Sequence, residues 1–166
     1  MRLLSHLKQW RAVATEAKHV SFAVAKFIGL IHLTESYLCS STLLHGPSML
    51  PTFNSSGDVV LAEHLSHRLG KVVPGDVVLV RSPDDPKKMV AKRVLGLEGD
   101  QVTFFDPNRI RKHNTTVVPK GHVWIQGDNT YASFDSRSYG PVPYGLIQGR
   151  VFFRVWPPDG FGSVDD

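Results

Sequence analysis

The chain has 166 residues, 42% apolar and 20% charged, with a net charge of +4. This fits one globular domain with a short appendage. It excludes a disulfide scaffold or a cysteine-rich metal site, since Cys39 is the only cysteine. No run of five or more basic residues points to nucleic acid as a partner.

Residues 1–44 differ in kind from the rest. They contain no proline, a single glycine (Gly29), and five basic residues against two acidic ones, or +3. The stretch "HVSFAVAKFIGLIHLT" (19–34) is apolar at helical spacing, with Val20, Val24, Phe27 and Ile31 on one face. Eight apolar side chains favour insertion in a bilayer by about −2.4 to −4.8 kcal/mol, whereas a central Lys26 opposes it by about +2.5 to +3.5 kcal/mol. Three readings stay open: a weak single span, an interfacial amphipathic helix, or a helix packed on its own domain. The basic, acid-poor first 20 residues are compatible with a mitochondrial address.

From residue 45 the texture changes to short β-like runs. Strands are predicted at 58–64, 76–82, 89–96, 100–105, 115–118, 122–127 and 145–156. Turn signals separate them: Gly57-Asp58, Pro74-Gly75-Asp76, Gly99-Asp100, Asp106-Pro107-Asn108 and Gly127-Asp128-Asn129. The fold class is therefore mainly β, a compact antiparallel barrel-like domain over 45–158. A membrane-associated helical segment precedes it (1–44), and a loose tail follows (159–166).

Three stretches carry candidate chemistry. In "HGPSMLPT" (45–52), Pro47 and Pro51 stiffen the backbone around Ser48. Read alone, the segment also fits an ordinary proline-rich loop. A serine hydroxyl needs a base before it can act as a nucleophile. His45 is nearest in sequence but is awkwardly placed, and no Gly-x-Ser-x-Gly elbow exists. A lysine can serve instead, but a free one is neutral in only about 0.04% of molecules at pH 7, so a base lysine needs desolvation. Lys92, within "MVAKRVLG" (89–96), shares a strand face with Val90 and Val94, and Arg93 lies opposite. A snorkelling strand lysine is the competing reading. In "GDNTYASFDSRSYGPVP" (127–143), Ser133, Asp135 and Arg137 alternate and would share one face if extended, with Asp135 and Arg137 able to pair. A solvated loop fits this stretch as well.

Together "GPSMLPT", "GDVVLV" (75–80), "KRVLGLEGD" (92–100) and "GDN…S.DSR..GPV" (127–142) resemble, in order and spacing, the boxes of the type I signal peptidase family of Ser–Lys proteases. The resemblance covers about residues 45–156 and is nearest to the family's mitochondrial inner-membrane branch; a compact bacterial or plastid enzyme is similar. It implies that Ser48 is the nucleophile and Lys92 the general base. It implies that Ser133 orients the lysine, that Asp135 and Arg137 pair to shape the site, and that Asp128 and Arg93 support it. Some relatives place an oxyanion-donating serine where this chain has Gly46, which leaves the Ser48 backbone N–H. The resemblance implies no metal and no cofactor. It implies preprotein substrates bound as extended peptides, a heterodimer with a related second subunit, and a catalytic domain facing the mitochondrial intermembrane space. A self-cleaving Ser–Lys repressor would need a two-helix DNA reader, which residues 1–44 do not show. A non-catalytic peptide-binding relative would have no chemical need for both Ser48 and Lys92.

Overall fold

The structure is a computed structural model and describes residues 2–105 and 113–164. Two units emerge, one through Tyr37 and one from Leu38 onward. The second is built on an antiparallel sheet. Its strands are β1 (Cys39–His45), β2 (Ser56–Glu63), β3 (Val77–Arg81), β4 (Met89–Gly96), β7 (His122–Gln126), β8 (Val142–Pro143), β9 (Ile147–Trp156) and β10 (Gly162–Ser163). The sheet order is β1-β2-β9-β3-β4-β7-β8, with β10 added on β9. A separate hairpin pairs β5 (Gln101–Phe105) with β6 (His113–Val117). The Asp106-Pro107-Asn108 turn expected between them lies outside the described residues.

The predicted mainly-β, barrel-like class holds. Strands β1 and β4 are separated in the sheet by three others, yet both line one cavity, so the sheet curls. Side-chain alternation explains where the core lies. In β2, Asp58, Val60 and Ala62 are buried while their neighbours are partly exposed. Strand β3 reads Val-Val-Leu-Val and buries all four, as a central strand covered on both faces must. Val78 and Val80 pack with Val94, Ile125 and Ile147. Val77 and Leu79 pack on the other side with Met49, Phe53, Val60 and Val151. Met49 and Phe53 thus root the Ser48 loop in the core, and each such burial stabilises by about 1.5–3 kcal/mol.

Two boundaries differ from the expected ones. Residues 39–45 form β1, paired with β2 from Cys39↔Glu63 to His45↔Ser56, so the β unit starts near residue 38 rather than 45. The run "CSSTLLH" lacks alternation and follows an apolar helix, which hid it. The tail expected to be loose is tied down through Val164: β10 pairs with β9, and the Val164 N–H donates to the Phe152 carbonyl at 3.1 Å. In the first unit, α1 spans Arg2–Leu33. Phe22, Phe27, Ile28 and Leu30 on it are exposed. No helix among the described residues is long and apolar enough to cross a membrane.

Candidate active site

Ser48 lies in a single 3-10 turn, Pro47–Met49, which Gly46 enters at φ +106°, a conformation that favours glycine. Backbone bonds hold the turn at both ends: Gly46 N–H to the Ser55 carbonyl at 2.8 Å, and Phe53 N–H to the Met49 carbonyl at 3.0 Å. Asn129 holds its middle. The Asn129 N–H donates to the Ser48 carbonyl at 3.0 Å, and its Nδ2 donates to the Pro47 carbonyl at 3.1 Å.

Strand β4 packs against this turn and carries Lys92, only 3% exposed, opposite Val78 of β3. Burial pushes the Lys92 ammonium below the usual lysine range; Arg137 adds to that, while Asp135 and Asp128 oppose it without prevailing. No hydrogen bond joins Ser48 to Lys92 among the described residues.

Two acid–base clusters flank the lysine. In the first, Asp135 caps the short helix α2 (Ser136–Tyr139), so residues 133–137 are not extended as the alternation implied. Asp135 and Arg137 still pair, fully buried, through Nε to Oδ1 at 2.9 Å and Nη2 to Oδ2 at 2.8 Å. The same carboxylate accepts from Ser133 Oγ at 2.6 Å and from the Gly127 N–H at 2.9 Å. Burial alone would raise the Asp135 carboxyl, but these donors outweigh it and hold it below the usual range. With its proton committed to Asp135, Ser133 presents only lone pairs to other neighbours.

In the second cluster, Asp128 accepts a fork from Arg93, Nε at 2.9 Å and Nη2 at 2.8 Å, and a bond from Thr52 Oγ1 at 2.5 Å. Burial opposes ionisation of Asp128, yet Arg93, Thr52 and the charge of Lys92 together lower its range. Arg93 also donates to the Gly75 carbonyl at 2.7 Å. All seven expected site residues therefore lie on the Ser48 turn, on β4 or in the 127–137 segment.

Sequence reasoning missed Thr52, Asn129 and Gly127. A Cβ on Gly127 would sit 2.3 Å from Ser133 Oγ and 2.4 Å from the Ser48 carbonyl oxygen, so only glycine lets these groups meet. Beside Ser48 opens a cavity of about 170 Å³, lined by residues of β1, the Ser48 loop and the start of β4. A buried cation of lowered basicity, a stiffly held hydroxyl and an adjoining cleft are the parts that nucleophilic catalysis requires.

The family model described as "Signal peptidase, peptidase S26" matches residues 17–110 and 105–156. The Arabidopsis thaliana "Mitochondrial ATP-independent inner membrane protease subunit 1a" is 62% identical over 165 residues, 99% of this chain and 98% of that protein. The Mus musculus "Mitochondrial inner membrane protease subunit 1" is 42% identical, covering 94% of this chain and 93% of its own length. The Mus musculus "Mitochondrial inner membrane protease subunit 2" is 42% identical over 74% of this chain and 70% of its own.

Proposed function

The chain belongs to the signal peptidase family, peptidase S26, and from that membership we propose a serine endopeptidase with a Ser48–Lys92 dyad that removes sorting peptides from preproteins bound for the mitochondrial intermembrane space. The observation that carries the dyad is the burial of Lys92 on the strand packed against the Ser48 turn. Neutral Lys92 takes the Ser48 proton as Ser48 Oγ attacks the scissile carbonyl. The Ser48 N–H donates to the oxyanion. Lys92 then protonates the leaving amine, and a water activated by Lys92 hydrolyses the acyl-enzyme. Ser133 accepts from the lysine and orients it, because its own proton is held by Asp135. The steps need no metal or cofactor.

The cavity supports an extended substrate. β7 pairs with β4 at Arg93, Val94 and Gly96, which leaves one edge of residues 89–92 for an added strand. A space of about 170 Å³ can receive a substrate side chain beside the cut. The exposed apolar residues of α1 supply the membrane contact, with the catalytic unit on the intermembrane-space side. Relatives named as subunit 1 and subunit 2 support a heterodimer with a related chain. Incubating the membrane-embedded protein with candidate preproteins and sequencing the new N-termini tests this reading. Defined new termini are expected with wild type and none with Ser48→Ala; equal processing by both would sink it.

A further inference from the structure

A third charged cluster lies behind the cavity, where neither the dyad nor its two flanking pairs use it. Asp58, fully buried on β2, accepts from the Asn54 N–H at 2.9 Å through Oδ2 and from Asn54 Nδ2 at 2.8 Å through Oδ1. Arg154 of β9 reaches the same carboxylate at 3.3 Å, and its Nη1 also donates to the Thr52 carbonyl at 2.9 Å. Its guanidinium carbon stands 5.6 Å from the centre of the Phe53 ring, and its Nε donates to the Gly160 carbonyl at 2.5 Å. One arginine thus grips Thr52, Phe53 and Asp58, and Asp58 grips Asn54. Phe53 and Asn54 line the cavity beside Ser48. Thr52 is held from two sides, its hydroxyl by Asp128 and its carbonyl by Arg154.

We infer that Arg154, acting through Asp58 and the Thr52 carbonyl, is a positioning residue that fixes the cavity floor and so selects the side chain accepted beside the scissile bond. The inference rests on the peptidase reading of the same site. A floor that yields admits larger side chains, and a pocket that separates side chains by one methylene discriminates by about 10–200-fold. The tail is part of the device. A methyl on Gly160 would stand 2.4 Å from the Arg154 guanidinium carbon and 2.5 Å from Nε and Nη2, so Gly160→Ala must displace that group. Gly160 does not line the cavity.

The test measures kcat and KM of the full chain on extended peptides that differ only before the cut, carrying Ala, Ser, Val or Leu. Wild type is expected to discriminate among the four. Gly160→Ala and Arg154→Lys should each narrow that preference by about tenfold and leave the pH dependence of kcat unmoved. Amide exchange at Asn54 should quicken in both, a readout independent of cleavage. A wild type without preference, an unchanged ranking, a uniform loss across all peptides, or wild-type exchange at Asn54 overturns the inference. Ser48→Ala, run in parallel, separates the two claims: cleavage that survives it removes the peptidase reading instead.

Discussion

Gly127→Ala isolates the geometry that brings the Ser48 turn against Ser133. The new Cβ would lie 2.4 Å from the Ser48 carbonyl oxygen and 2.3 Å from Ser133 Oγ, against an ordinary contact of 3.4 Å. Relief therefore requires a displacement of about 1 Å at Ser48, at Ser133, or shared between them. Ser133 cannot turn away freely, because its hydroxyl is held by Asp135. Ser48 cannot recede freely, because the Asn129 N–H holds its carbonyl. Overpacking of this kind costs about 1–3 kcal/mol of stability, and a 1 Å misplacement of reacting groups costs about 10²-fold in rate. Steady-state kcat/KM on an extended peptide and a thermal melt measure the two effects. A folded Gly127→Ala protein with wild-type kcat/KM would refute the claim that this contact sets the position of Ser48.

Asp135→Asn should lower stability by about 3–5 kcal/mol at neutral pH, because it leaves Arg137 buried without its counter-charge. The folded Asp135 range lies below the ordinary 3.8, so its contribution is full above that value and is lost as pH falls through the lower folded one. The gap in Tm between wild type and variant should accordingly close on acidification, and a gap that persists at low pH contradicts this. Thr52→Val removes one bond to a carboxylate, worth about 1.5–3 kcal/mol. Stability should fall by that amount, read as a lower Tm in a thermal melt, and recover in Thr52→Ser; a Thr52→Ser protein as destabilised as the valine variant argues against the hydroxyl.

The candidate residues could be picked out along the chain, because they sit in short segments of restricted residue types. Read alone, the two prolines around Ser48 also fit a plain loop and the lysine between valines at 90 and 94 also fits a snorkelling side chain; only the order and spacing of the four segments together single out Ser48 and Lys92 from the other serines and lysines. Thr52, Asn129 and Gly127 were not legible in this way. Thr52 meets Asp128 across 76 residues, and Asn129 meets Pro47 across 82. Such contacts depend on where the curled sheet delivers two loops, which no local pattern encodes. Asp135 is an intermediate case. The ion pair was visible from spacing, but the extended backbone behind that reading is a capped helical turn, since a carboxylate bonding the Arg137 N–H competes with strand geometry. β1 was missed for a different reason: as an edge strand it has no fully buried residue, and its sequence shows no apolar alternation.

On the proposed mechanism, Ser48 is activated by Lys92, whose burial lowers its basicity. The direct measurement is the rate at which a serine-directed covalent probe modifies Ser48, followed by peptide mapping of the intact protein as pH is raised. An adduct on Ser48 is expected, with a rate that climbs with pH through a midpoint below the 10.5 of an ordinary lysine and that is lost in Lys92→Met. An adduct on another residue, or a Lys92→Met protein labelled at the wild-type rate and pH dependence, would contradict it.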